Sequence, residues 1–136
     1  MTSPLPPGMN VTGEIAPDPR RAGFLIASAH LFNGGPETFR RSVNSCSVIV
    51  RAYGKPDSRR PSWRSDKART TVCKSLLHIV ELAKGGDRLL TMRLASRDIL
   101  GDSLSAGRYT FTVSIRFFEP SATTREYPAG ALDLRR

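Results

Sequence analysis

The chain is 136 residues long, room for one hydrophobic core and not two, and its 39% hydrophobic and 24% charged residues exclude a wholly disordered protein. Its net charge of +9 comes from 17 Arg and 4 Lys against 12 acidic residues. That excess points to anionic partners such as acidic proteins, nucleic acid or lipid head groups and says little about fold. The longest apolar run, residues 22–32, is eleven residues with His30 inside it, short of the roughly 20 that span a bilayer.

Residues 1–19 carry Pro4, Pro6, Pro7, Pro17 and Pro19 with Gly8 and Gly13. This composition resists helix and sheet ladders and predicts an extended arm ahead of a domain of residues 20–136. Residues 22–32 follow Arg20 and Arg21 and contain Ala27, Ser28 and Ala29, which gives them the look of a short export signal; the polar, Pro-rich stretch before them favours a strand instead. Residues 24–32 and 76–82 are apolar without clean alternation, as interior strands are. Cys46, Val48, Val50 and Ala52 alternate with Ser47, Ile49, Arg51 and Tyr53, and Leu90, Met92 and Leu94 alternate with Leu89, Thr91 and Arg93. The clearest strand is 109–117, where Tyr109, Phe111, Val113, Ile115 and Phe117 alternate with Thr110, Thr112, Ser114 and Arg116.

Turn signals at 33–36, 54–61, 84–87 and 105–107 separate these runs, and the turn at 84–87 predicts a hairpin between neighbouring strands. A helical turn is expected at 96–100, with Ser96 as its cap and Asp98 in the first turn. Residues 131–134 suit a short edge strand. Six strands at this spacing, with no long helix, predict an all-β fold, an antiparallel sandwich.

The order of features resembles the BsuPI-type intracellular proteinase inhibitor domain, an immunoglobulin-like β-sandwich family, over about residues 24–116. The resemblance is carried by an opening strand ending in Asn33, the strand 46–53, the turn at Gly54 leading to Trp63, Arg64 and Ser65, the strand–turn–strand around Gly85 and Gly86, and Ala106, Gly107, Arg108, Tyr109 and Thr110 at the start of the last long strand. It implies an immunoglobulin-like sandwich and makes proteinase inhibition an alternative function. The insert at 55–60, the cysteine pair and the Pro-rich arm depart from that family, and no inhibitory loop carries over. The chain also resembles accessory domains of cell-envelope proteins.

Cys46 and Cys73, 27 positions apart, suit a disulfide worth about 3 kcal/mol by loop entropy, with two buried thiols as the alternative. A bridge implies an oxidising compartment and a lean towards an extracytoplasmic or periplasmic setting, against which stands the lack of a conventional export signal. Gly101, Asp102, Ser103 and Leu104 spell the signature of the GDSL hydrolases, yet no histidine follows His78 to serve Ser103 as a base. His30 and His78 with a cysteine and Met92 have the composition of a copper site, but they fall on separate predicted strands. Asn10, Val11 and Thr12 form a glycosylation triplet with weight only in a secreted eukaryotic chain. No catalytic residue, metal, cofactor or small-molecule substrate is therefore expected.

Residues 55–69 are the best local candidate for a site. They hold Lys55, Arg59, Arg60, Arg64, Lys67 and Arg69 against Asp57 and Asp66, with Trp63 among them. Trp and Arg are the residues of interface hot spots, and Arg forks grip carboxylates and phosphates. The expected partner-binding set is Arg59, Arg60, Trp63, Arg64, Lys67 and Arg69, with Trp63 open to a second role as a plug in the sandwich edge. The function expected is a non-enzymatic protein-binding module, an accessory or membrane-extrinsic subunit with its arm and basic loop lying on a partner. Nucleic-acid binding is the weaker alternative, because the basic residues spread from Arg20 to Arg136 without a stripe or stacking aromatics.

Overall fold

A computed structural model describes residues 5–55, 58–68, 73–74 and 76–136. The elements in chain order are β1 (Met9–Pro17), β2 (Phe24–Asn33), β3 (Phe39–Val43), β4 (Val48–Tyr53), β5 (Trp63–Arg64), β6 (His78–Leu82), β7 (Asp87–Ala95), α1 (Ser96–Leu100), β8 (Gly107–Phe118), β9 (Ser121–Thr123) and β10 (Tyr127–Leu134). Three strands in the order β1-β2-β7 form one sheet. The facing sheet runs β10-β8-β4-β5 with β9 on β8, and β3 pairs with β6 alone. Every pairing is antiparallel. The fold is an all-β antiparallel sandwich, and the two main sheets place their strands as the A-B-E and G-F-C-C′ sheets of an immunoglobulin-like domain do.

Alternation builds the core. On β8 the residues Phe111, Val113, Ile115 and Phe117 are wholly buried, while Arg116 faces water. On β2 the run that lacks alternation in hydropathy alternates in burial. Leu25, Ala27, Ala29 and Leu31 face β4 and β8, and Ile26, Ser28, His30 and Phe32 face outward. Burying each such large side chain contributes about 1.5–3 kcal/mol. Phe39 meets Phe117 edge-to-face at 5.7 Å and so fastens the β3–β6 ribbon to the main core. At the start of β8 the Tyr109 hydroxyl donates to the Ser105 carbonyl at 2.7 Å, the tyrosine corner of immunoglobulin-like sandwiches.

From residue 5 on, the Pro-rich segment is not an arm outside the fold. Residues 9–17 form β1, paired along its whole length with β2, and Leu5 and Met9 pack against the core. The prolines sit where they do no harm: Pro6 and Pro7 precede the strand, and Pro17 ends a strand on the sheet edge. Within the strand, Val11, Gly13 and Ile15 face inward. Gly13 brings this edge against the other sheet, because a Cβ there would meet Val113 Cγ2 at 2.6 Å and the Pro128 carbonyl oxygen at 2.8 Å. One side of the sandwich is closed by this contact. Residues 1–4 lie outside the described residues.

Three further expectations need correction. The turn at 84–87 forms, with Gly85 at φ +83°, but it joins no hairpin: β6 pairs with β3 and β7 with β2. The chain changes sheets there, held by Asn33, whose N–H donates to the Gly86 carbonyl and whose carbonyl accepts from Gly85. For the same reason 76–82 is not an interior strand; among the described residues β6 has one partner, and it leaves His78, Ile79 and Glu81 exposed. Finally, α1 forms over 96–100 but Ser96 is not its cap; the cap position is Ala95, and the Ser96 N–H is already bonded to the Gly23 carbonyl. The edge strand expected at 131–134 is the end of the longer β10, which borders its sheet. No helix among the described residues is long and apolar enough to cross a membrane.

Candidate functional site

The stretch between β4 and β6 is tied down at several points. The Ser62 N–H donates to the Ala52 carbonyl at 2.7 Å and Gly54 donates to Ser62 Oγ at 3.1 Å, so the loop after β4 folds back on it. β5 then pairs with Arg51 and Ala52. Trp63 is half-buried against the core and lines a cleft of about 310 Å³ with Phe24, Met92, Leu94 and Ile99. It thus lines the side of the sandwich between β5 and β7. Two residues on, the buried Ser65 accepts a hydrogen bond from the Val50 N–H at 2.8 Å. The motif Trp63–Ser65 therefore anchors the loop. Cys46 and Cys73 form a disulfide, with Cα atoms 5.4 Å apart, and Lys74 donates to Ser45 Oγ beside it.

On this frame the predicted cations divide into two groups. Arg64 forks onto Asp66, its Nε and one terminal nitrogen 3.0 and 2.8 Å from the two carboxylate oxygens. The pairing raises the Arg64 pKa, and although burial alone would push Asp66 up, the fork outweighs it and holds the carboxyl below its ordinary value. Arg59, Arg60 and Lys67 are exposed and enter no ion pair among the described residues. Arg69 lies outside the described residues, as does Asp57.

Sequence reasoning missed the polar cluster that adjoins this loop. Glu126, just before β10, accepts hydrogen bonds from the Tyr53 hydroxyl and from Thr112 Oγ1, the latter at 2.7 Å. Arg51 lies 3.9 Å from the same carboxylate and donates to Ser114 Oγ at 2.7 Å. Burial pushes Glu126 up, but Tyr53, Thr112 and the nearby Arg51 and Arg64 charges prevail and lower its pKa. Tyr53 is raised, first by burial and then by its bond to Glu126. Arg59 and Ser58 complete a shallow cleft over Tyr53, Thr110, Thr112 and Glu126. The signal for this cluster was the polar character of the outward positions on two alternating strands, Arg51 and Tyr53 on β4, and Thr110, Thr112 and Ser114 on β8.

The other candidates stay apart. Ser103 is exposed in the turn after α1, where Arg136 donates to the Gly101 and Leu104 carbonyls. His30 Nε2 sits 2.6 Å from Asp87 Oδ2 on the outer face of the β1–β2–β7 sheet. Both cysteines are consumed by the disulfide and give no thiolate for copper. Among the described residues no group of three or more His, Cys, Asp or Glu gathers in a way that would hold a metal. Asn10 and Thr12 face outward on β1.

No protein-family model matches the chain, and no curated protein matches it. Among solved structures it is similar to part of a Kluyveromyces marxianus β-glucosidase in complex with glucose, at 14% identity and a TM-score of 0.45, over 92% of this chain and 14% of that one. β-Glucosidase 3B from Thermotoga neapolitana gives 15% identity and a TM-score of 0.45, over 94% and 17% of the two chains. A β-glucosidase from Erythrobacter marinus gives 13% and 0.42, over 89% and 15%. The chain thus spans less than a fifth of the length of each.

Proposed function

We propose that this chain is a non-enzymatic binding module, an accessory subunit that docks an acidic protein surface of a larger assembly on the edge formed by residues 58–67. One observation carries the reading. Arg59, Arg60 and Lys67 are exposed and unpaired in charge among the described residues, on a loop fixed by Ser62, Trp63 and Ser65. A cation on a loop already ordered loses little further entropy when it meets a carboxylate, which favours binding. Arg64 presents a fork already satisfied by Asp66 and contributes less. The half-buried Trp63 gives the edge a rigid apolar anchor. The disulfide fits an oxidising setting for the assembly.

The test is capture of partners from an extract of the source cells by the tagged chain and by an Arg59→Glu/Arg60→Glu/Lys67→Glu variant. Each replaced residue is exposed, so the fold should survive. The expected result is loss of most of the captured protein by the variant and elution of the wild-type complex by salt. Capture that is indifferent to these reversals removes the reading.

A further inference from the structure

One end of the sandwich gathers arginine. A cleft of about 390 Å³ lies where the turn before β2, the start of α1 and the residues after β10 meet. Arg97, Arg135 and Arg136 line it together with Ala22, Phe24 and Ala95, and no acidic side chain does. Hydrogen bonds fix both walls. The Asp18 N–H donates to the Phe24 carbonyl at 2.9 Å, the Phe24 N–H donates to the Arg21 carbonyl at 3.2 Å, and the Gly23 carbonyl accepts from the Ser96 N–H at 2.9 Å. On the other wall Leu134 is wholly buried, and the Arg136 guanidinium donates to the Gly101 and Leu104 carbonyls. Arg136 is thus spent on structure. Arg97 and Arg135 are exposed and enter no ion pair among the described residues. Asp98, the next residue on α1, lines the neighbouring cleft along β7 and not this one.

We infer that this cleft is a binding site for a phosphate monoester. Two uncommitted guanidiniums call for a guest with about two negative charges, which a phosphate monoester carries near neutral pH and a carboxylate, a sulfate ester or a phosphodiester does not. The planar fork of each arginine suits the three terminal oxygens of such a group. Gly23 has no side chain, so its peptide itself lines the cleft. Among the described residues the N–H groups of Ala22 and Gly23 make no hydrogen bond, which leaves two neutral donors unspent there. The apolar part of the lining suits the organic part of the ester, and the Arg21 guanidinium, 4.1 Å from the centroid of the Phe24 ring, adds a further positive charge beside it. The cleft shares no residue with the edge at 58–67, and the inference does not depend on that edge.

The experiment is a titration of the full chain with phenyl phosphate, followed by amide NMR. Saturable shifts are expected at Ala22, Gly23, Ala95 and Arg97, with a Kd of about 1 mM or tighter. Phenyl sulfate, the same ring with one charge, should bind about tenfold more weakly. An Arg97→Gln/Arg135→Gln variant replaces two exposed residues, so amide positions away from the cleft should be unchanged, and it should bind phenyl phosphate about tenfold or more weakly than the wild type. Phosphatidylcholine vesicles containing phosphatidate present the same group on a lipid. Sedimentation of the wild type but not the variant with these vesicles would place the phosphate on a membrane, and a phenyl phosphate titration without sedimentation would place it on a soluble molecule; both results uphold the site. No saturable shift up to about 20 mM phenyl phosphate would overturn the inference, whatever the vesicles do. So would equal binding of phenyl sulfate, or a folded variant that binds phenyl phosphate as the wild type does.

Discussion

Replacing Gly13 with alanine tests the closure of the sandwich at its β1–β10 side. The backbone at Gly13 has no positive φ, so an alanine fits its conformation, and in open space the change would stabilise the chain by about 0.4–1 kcal/mol through the unfolded state. Here the new Cβ would stand 2.6 Å from Val113 Cγ2 and 2.8 Å from the Pro128 carbonyl oxygen. An ordinary carbon–oxygen approach is about 3.3 Å or more, so β1 and β10 must separate by roughly half an ångström. Overpacking of this kind costs about 1–3 kcal/mol, and the balance is a net loss of about 1–2 kcal/mol. In urea unfolding the midpoint should fall by about 0.5–1 M with an unchanged slope. A Val113→Ala background removes one of the two clashes, so Gly13→Ala should cost less there, with a coupling of about 0.5 kcal/mol or more. A neutral or stabilising Gly13→Ala, or strict additivity with Val113→Ala, would refute the close contact between the sheets.

Other outcomes follow from single contacts. Tyr109→Phe removes the bond to the Ser105 carbonyl and should cost about 1 kcal/mol in urea unfolding without altering the sandwich as seen by circular dichroism. Joint replacement of Cys46 and Cys73 by serine should cost about 3 kcal/mol by loop entropy, and reduction of the wild type should reproduce that loss. Glu126 and Asp66 have folded pKa values below their ordinary 4.5 and 3.8, so their stabilisation is present above those values and fades as the pH drops through the lower folded ones. Acid unfolding should therefore lose part of its pH dependence below about pH 4.5 in Glu126→Gln. Titration against serine proteases should give no inhibition at about micromolar concentration, and potent inhibition there would favour the inhibitor family that the sequence resembles.

The strands that alternate cleanly were legible, because one wet and one buried face leave a period of two in the sequence, as in 48–53 and 109–117. β1 was hidden by the prolines around it; Val11, Gly13 and Ile15 carry the inward period, but with glycine in the middle of it. β3 was hidden by Arg40 and Arg41, of which Arg41 lies over the Phe39 ring with its centre 4.9 Å from the ring centroid. The turn at 84–87 has the residues of a hairpin, and what sends the chain to the other sheet is Asn33, some fifty positions away, whose side chain also binds the Leu82 and Glu37 carbonyls. At the candidate site, composition pointed to the basic loop but could not separate Arg64, satisfied by Asp66, from Arg59, Arg60 and Lys67. The Glu126 cluster joins residues 73 positions apart, a distance that no local pattern reports.

The role of the edge at 58–67 is tested most directly by the footprint of the native complex. Amide exchange of the chain, measured free and bound to the partner that it captures, should show residues 58–68 slowed in the bound state more than the β1–β10 side of the sandwich. A complex that forms with exchange at 58–68 unchanged would contradict a partner docked on the basic edge.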